Sequence, residues 1–337
     1  MEKSMKVILA KGGSDAKDKG SFYLSEMPIP QPGDQDLLVR LIAIGMNPVD
    51  TKIRKRSDID KVLGWDACGV VKKTGGGVSR FKEGDTVFYA GEVARPGCNS
   101  EYHLVDQRIA SLAPKSLLPE DAAAMPLTSV TAWEGLFDRL GFAPKANGND
   151  GKSILIIGGG GGVASVAIQL ARWAGLKVLA TSSRPETDKW CRDLGAEVVL
   201  NHKNNLYEEL KAASIDSVDA IFCTVKLEQH WRAMAQCIAP QGHIVFIDDP
   251  ANPLDLTLFK QKSVTLSWEF MYTRSMFKTE DMGEQGKVLS IIARLLDEGI
   301  LVATRQKTLT GLTPENIQAM HIRQESGTMI GKQVLVL

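Results

Sequence analysis

Five consecutive glycines, Gly158 to Gly162, follow the apolar run Ile154 to Ile157 and precede a stretch in which the apolar period changes. Val163, Val166, Ala167, Leu170, Ala171 and Ala174 fall at i, i+3, i+4, i+7, i+8 and i+11, one face of a helix. Strand, glycine turn and helix in that order make the first half of a βαβ unit. Glycine permits a tight turn and lets backbone amides approach a pyrophosphate, whose charge is favoured at the positive end of a helix. Read as G-x-G-x-x-G/A, the motif is Gly159, Gly161 and Ala164, with Gly160, Gly162 and Val163 inside the same turn. The alternative is a glycine-rich turn without a ligand. The flanking strand and helix favour dinucleotide binding.

In such a unit the loop after the second strand touches the adenosine ribose, and an acidic residue about 20 positions past the glycines favours NAD. Here that loop is Thr181-Ser182-Ser183-Arg184, with no Asp or Glu where the strand ends. Two hydroxyls and a guanidinium suit a 2′-phosphate, so the expected cofactor is NADP, held by Ser182, Ser183 and Arg184. Glu186 is the nearest acid and can simply support the next helix start. The competing reading has the serines as caps and Arg184 as a solvated charge. Thr224 and Val225, ending the fourth strand, fall on the carboxyl edge where open parallel sheets bind ligands.

The elements around these residues change character along the chain. Residues 5–125 read as β-rich: Met5 to Leu9, Leu37 to Ile44, Gly69 to Lys73 and Thr86 to Tyr89 are short strands punctuated by Pro28, Pro30, Pro32, Gly33 and Gly75 to Gly77. A helical stretch is expected from Pro119 to Gly141. Strands at Val178 to Thr181, Val198 to Leu200, Val218 to Cys223, His243 to Ile247 and Val264 to Met271 then alternate with helices at Arg184 to Leu194, Leu206 to Ala213 and His230 to Ile238. This alternation means a parallel sheet with helices on both faces. An amphipathic helix, Gly286 to Glu298, a second capped by Thr313 and running to Glu325, and a strand from Lys332 to Leu337 close the chain.

The 337 residues suffice for two domains, and 40 Lys plus Arg balance 40 Asp plus Glu. No basic stripe argues for nucleic acid or a lipid surface. The five cysteines are scattered, without C-x-x-C spacing, so neither a disulfide framework nor a thiolate zinc cluster is indicated. No apolar run has the length of a signal peptide core or a membrane span. A cytoplasmic protein with reduced thiols is expected.

Several motifs, specific only together, resemble one family: Asn47-Pro48-Val49-Asp50-Thr51-Lys52, Gly64 to Gly69 (GWDACG), Leu127 to Trp133, the glycine stretch, Ser183 to Thr187 (SRPET) and Trp268 to Phe277 (WEFMYTRSMF). The chain resembles the medium-chain dehydrogenase/reductase superfamily over nearly its whole length. Within it the chain is most similar to the zinc-free quinone oxidoreductases, in the branch often labelled zinc-type alcohol dehydrogenase-like. The resemblance implies an α/β fold: a Rossmann-type doubly wound parallel sheet, residues 126–271, plus a GroES-like β-rich catalytic domain, residues 1–125 and 272–337. It also implies an NADPH site between the domains, a small-molecule substrate and a homodimer. The β-branched and aromatic run Val264 to Met271, ending the parallel sheet, is a candidate for two-fold strand pairing.

Zinc relatives carry a Cys near the segment here read as Gly45-Met46-Asn47, and Gly-His-Glu where this chain has Gly64-Trp65-Asp66. A catalytic zinc needs about three Cys, His or carboxylate ligands and an open position. Met46, Asn47 and Trp65 cannot supply them, and Asp66 or Cys68 alone is not a site. The structural lobe of four close cysteines is missing too, since Glu92 to His103 contains only Cys98. No metal is therefore expected.

The resemblance makes Asn47, Asp50 and Lys52 the candidate catalytic residues. Asn47 is the donor to a carbonyl, Asp50 the orienter of its loop or of neighbouring donors, and Lys52 stands where several quinone reductases carry a Tyr. A turn with capping side chains and an exposed lysine are the alternatives. Thr131 matches a position bordering the nicotinamide, Asn201 and His202 the adenosine end, Arg274 a cofactor-binding arginine, and Lys332 the cofactor phosphates. The activity implied is metal-free, NADPH-dependent reduction of quinones or of the C=C bond of α,β-unsaturated carbonyls. A carbonyl or alcohol dehydrogenase and a non-catalytic NADPH-binding protein are the alternatives.

Overall fold

Ile154, Leu155, Ile156 and Ile157 have no exposed surface in the computed structural model, which describes residues 4–337. They belong to a strand, Ser153–Ile157, at the centre of a six-stranded parallel sheet. The order across it is Val198–Asn201, Lys177–Ser182, Ser153–Ile157, Val218–Cys223, Ile238–Phe246 and Thr265–Trp268. In chain order this is 3-2-1-4-5-6, the doubly wound arrangement that binds dinucleotides at its carboxyl edge. A strand covered on both faces reads as a continuous apolar run, which is why this segment does not alternate. Leu155, Leu179, Leu200, Ile221, Trp231, Ile244 and Phe246 form the core on one side of it.

The helices are set by local signals. Gly161 is the N-cap of Gly162–Trp173 and Pro185 opens Pro185–Leu194, which stops at Gly195, where φ is 116°. Two expected elements come out differently. The helix expected from His230 starts earlier, at Leu227, and ends at Cys237, so the next strand begins at Ile238. The edge strand covers only Thr265–Trp268, because its partner ends at Phe246, whose carbonyl takes one last bond from the Glu269 amide at 3.0 Å.

The stretch from Pro119 to Gly141 is also not one helix. It divides into Pro119–Ala123, Pro126–Trp133 and a π-helical turn, Glu134–Arg139. Proline has no amide to donate and keeps its predecessor out of the helical region, so Pro126 restarts the helix. The π turn closes with the Leu140 amide on the Gly135 carbonyl at 3.0 Å.

The other strands form a seven-stranded sheet and a three-stranded sheet. In the larger one, Asp36–Gly45 pairs with Asp66–Thr74 on one side and with Lys332–Val336 on the other, all antiparallel. Arg305–Thr310 flanks the C-terminal strand in parallel, and Tyr102–Asp106 also pairs with Asp36–Gly45. In the three-stranded sheet Ser4–Ala10 lies between Phe22–Pro28 and Lys61–Val62. The chain thus divides into two compact units, the stretch through Val130 with Tyr272–Leu337, and Thr131–Met271.

Candidate functional site

The glycine turn is built by contacts from the neighbouring strands. Gly158 has φ 93°, and a Cβ there would stand 2.2 Å from Val225 Cγ1 and 2.7 Å from Thr224 Oγ1. Only glycine fits this backbone and this approach. The Gly158 amide donates to Thr181 Oγ1 at 3.0 Å and the Gly159 amide to the Thr181 carbonyl at 3.0 Å. Thr224 Oγ1 donates to the Ile157 carbonyl at 2.8 Å. The first bond of the following helix runs from the Ser165 amide to the Gly161 carbonyl at 2.9 Å. The amides of Gly162, Val163 and Ala164 therefore precede the intrahelical ladder, as an anion site at a helix start requires. Thr181 is an organiser that sequence reasoning did not single out; its only signal was its place at the end of the adjacent strand.

An open pocket of about 710 Å³ lies beside the loop after that strand, with Ser182, Ser183, Arg184 and Asn201 in its lining. Ser182 is buried, and its hydroxyl donates to the Arg184 carbonyl at 3.1 Å and also meets the Thr187 hydroxyl. Its side chain is thus committed to the helix start, which was the capping alternative. Arg184 approaches Glu186 at 3.4 Å in a half-exposed pair, a contact that contributes little in water. Lys189 and Arg192, one and two turns along the next helix, also line the pocket and had not been named from the sequence. The Asn201 side chain accepts from the Lys203 amide at 3.1 Å, the loop-capping role. His202 Nδ1 lies 3.3 Å from Thr181 Oγ1, and burial pulls the imidazole below its ordinary value.

A second cluster forms where the first and last parts of the chain pair. Asn47 caps the helix Pro48–Arg56, and its backbone amide donates to Asp50 Oδ2 at 2.8 Å. Proline at the first helical position and an acid three residues past the cap are a helix-start pattern, so the Asn-Pro-Val-Asp segment opens a short helix. Asn47 Nδ2 donates to Asp66 Oδ2 at 2.8 Å. Asp66 Oδ1 accepts the Leu127 amide at 2.7 Å, in the first turn of Pro126–Trp133. Gly45 faces Asp66 across the sheet, and a Cβ on it would lie 3.0 Å from Asp66 Cβ and 2.5 Å from the Ala123 carbonyl, so this close approach excludes larger residues.

Lys332 completes the cluster. Its ammonium donates to the Met46 carbonyl at 2.7 Å, to Asp66 Oδ2 at 2.9 Å and to Asn47 Oδ1. An ammonium has three hydrogens, and these three oxygens use them all. Lys332 therefore belongs with Asn47, not with cofactor phosphates as its sequence position suggested. The reason is register: Val334 pairs with Gly45, which brings the preceding lysine to the Asn47 loop.

Asp50 is buried, and one of its oxygens, Oδ1, has no hydrogen-bond partner among the described residues. Burial, opposed by the Asn47 amide and the Lys332 charge and aided by Asp66, pushes its carboxyl up to about 7. Trp65, whose ring meets that of Tyr272 edge-on at 6.4 Å, buries its Nε1 without a partner among the described residues. Lys52 lies half-buried on the helix that Asn47 caps, and Thr131 is buried on Pro126–Trp133. Arg274 directs Nε to Asp281 Oδ2 at 2.9 Å.

A catalytic zinc does not fit this donor set. The positions that would carry its ligands present an amide, an indole and a carboxylate, and an ammonium already binds the amide and carboxylate oxygens. The described residues hold no group of three His, Cys, Asp or Glu placed for a metal ion. The segment where zinc relatives carry the structural lobe is tied down in another way. Arg95 grips Asp36 through two bonds, 2.8 and 3.0 Å, and His103 Nε2 lies 3.0 Å from the Pro96 carbonyl.

Comparison with known proteins agrees with this architecture. Residues 33–115 match the alcohol dehydrogenase GroES-like domain, and residues 162–284 match the zinc-binding dehydrogenase family. The chain is 41% identical over 335 residues to a zinc-type alcohol dehydrogenase-like protein of Staphylococcus epidermidis, covering 99% of this chain and 100% of that one. A crystal structure of a candidate zinc-dependent alcohol dehydrogenase from Rhizobium etli CFN 42 superposes with a TM-score of 0.95 at 43% identity, over 99% of this chain and 98% of that one. The 2-methylene-furan-3-one reductase of Solanum lycopersicum is 35% identical over 217 residues, 60% of this chain and 52% of that protein. Zinc in two of these names is not matched by the residues around Lys332. The chain belongs to the medium-chain dehydrogenase/reductase superfamily of oxidoreductases, alongside the zinc-type alcohol dehydrogenase-like proteins.

Proposed function

We propose that this protein uses NADPH to reduce the conjugated C=C bond of an α,β-unsaturated carbonyl, or a quinone, without a metal. The observation that carries the reading is the Asn47 amide. Its oxygen is taken by Lys332 and one hydrogen by Asp66, which leaves the second amide hydrogen uncommitted among the described residues. A donor held in that way suits an oxygen on which negative charge develops. A simple ketone would need stronger polarisation than one amide gives, whereas conjugation spreads the charge and lowers that demand. The similarity to a 2-methylene-furan-3-one reductase supports the same substrate class.

The nicotinamide cofactor supplies a hydride when bound. The turn from Gly159 to Val163 brings the chain close to its pyrophosphate, with the amides of Gly162 and Val163 at the helix start as donors. Ser183 and Arg184 offer the 2′-phosphate a hydroxyl and a guanidinium; Lys189 and Arg192 nearby are paired with Asp193 and Asp188. Asn47 donates to the substrate oxygen, Asp50 fixes the Asn47 backbone, and Lys52, Thr131, Asn201, His202, Thr224, Val225 and Arg274 remain contacts expected from the family. A homodimer paired through the edge strand Thr265–Trp268 belongs to this reading. The test is NADPH oxidation with 2-cyclohexenone, 1,4-benzoquinone and cyclohexanone as substrates. Turnover of the first two with little of the third is expected; turnover of cyclohexanone alone identifies a carbonyl reductase. Asn47→Ala should lower kcat/KM by roughly 100-fold if Asn47 is the main donor.

A further inference from the structure

We infer that Lys332 is a positioning residue that takes the electrostatic place of a metal: its ammonium locks and polarises the Asn47 amide so that the free amide hydrogen points its charge at the substrate oxygen. The inference rests on the reading of Asn47 as the donor. Three observations carry it. The ammonium is nearly fully buried and, among the described residues, bonds the Met46 carbonyl, Asn47 Oδ1 and Asp66 Oδ2. Asn47 is therefore held at both ends of its amide, oxygen on a cation and nitrogen on an anion. The cation on Oδ1 draws electrons from nitrogen toward oxygen and strengthens the amide N–H groups as donors, while the bond to Asp66 fixes the amide's orientation. Finally, the Asp66 carboxylate balances the buried charge and is itself anchored by the Leu127 amide, so the cation has one location.

The arrangement explains why a lysine is needed in place of an arginine. Three oxygens around one nitrogen match the compact ammonium, whereas a planar guanidinium spreads its donors over a wider fork. The ammonium is covalently part of the chain. It needs no metal loading, and it reaches the substrate only through Asn47, which makes Lys332 a positioning residue and not a catalytic one.

Two variants and one spectrum test this. Lys332→Ala removes the cation, and Lys332→Met with Asp66→Asn removes both charges while keeping volume and an acceptor for Asn47. The double change avoids leaving Asp66 as an unpaired buried charge, which is strongly destabilising. With 2-cyclohexenone, both should lose about 100-fold in kcat/KM while NADPH affinity stays within about threefold. Ethylammonium, the missing end of the side chain, should restore Lys332→Ala saturably, and sodium at equal ionic strength should not. NADPH affinity falling in parallel with kcat/KM would return Lys332 to the cofactor phosphates, and wild-type turnover in the double variant would remove it from the site. The spectrum is taken on wild-type protein without cofactor, where the Asn47 side-chain amide, assigned by its loss in Asn47→Ser, should stand downfield of the other asparagines. An ordinary shift overturns the proposal even if neither variant folds. If wild type reduces neither enone nor quinone, the substrate reading fails, and the change of the Asn47 amide shift between wild type and Lys332→Ala still decides the role of Lys332.

Discussion

The Lys332 ammonium lies 2.9 Å from Asp66 Oδ2, with the two side chains 4% and 0% exposed. The partners are 266 residues apart in the chain and meet because the C-terminal strand pairs with Asp36–Gly45. An ion pair this deep is weak evidence of stability, since desolvation opposes the attraction. Its bonds run instead to Asn47, where the family's metal chemistry would be expected.

A metal content follows from that relationship. Purified protein should contain far less than one zinc per chain by elemental analysis, and a chelator should leave turnover unchanged. Zinc at one per chain, removed only with loss of activity, would contradict the account of the Lys332 site.

Asp50 gives a pH dependence with a definite sign. Its carboxyl rises from 3.8 to about 7 on folding, with burial the main cause. Over that range the folded protein keeps a proton that the unfolded chain releases, so this group's contribution is full below the lower value and is lost as pH rises through the upper one. Asp66, Lys332, Cys98 and Tyr272 are the titratable groups whose charges bear on it or respond to it. Buried His103, lowered to about 4, and His321, lowered to about 3, act in the opposite sense, so the measurement is the difference between Asp50→Asn and wild type. The stability of Asp50→Asn relative to wild type should increase by roughly a few kcal/mol from the acid to the neutral end in denaturant titrations. Parallel stability curves would show that Asp50 ionises normally.

Arg184 should set the cofactor preference. Arg184→Ala is expected to weaken NADPH binding about 10-fold or more, as loss of a charge-assisted bond does, with little change for NADH. Calorimetry with both cofactors decides it. Equal losses, or none, would mean that the arginine does not read the 2′-phosphate.

The edge strand should join two chains. Trp268 and Phe270 are 57% and 49% exposed at the end of the sheet, where an uncovered strand is a liability unless another pairs with it. Sedimentation should find a dimer, shifted toward monomer by Trp268→Lys. A wild-type monomer at micromolar concentration would contradict this.

Much of the Rossmann-type unit could be read from the sequence because its signals are local. Val218–Cys223 is found where its apolar run lies, Gly195 ends its helix in the left-handed region, and Thr313 caps Pro314–Glu325 through the Asn316 amide. The first unit was harder. Arg305–Thr310 is a polar strand with no buried residue, and Pro48–Arg56 carries a run of cations with little apolar period. Asp66 was read only as an inadequate metal ligand, because its partners Leu127 and Lys332 are 61 and 266 residues away. Lys332 was assigned to phosphates for the same reason. A motif shows what a residue can touch nearby, and only strand register reveals what comes to it from afar.

The central claim is conjugate reduction, and isotope placement tests it most directly. With NADPH carrying deuterium at the transferring C4 position and 2-cyclohexenone as substrate, the label should be found on the β-carbon of cyclohexanone. Deuterium on the carbonyl carbon of an allylic alcohol would show direct carbonyl reduction and contradict the account.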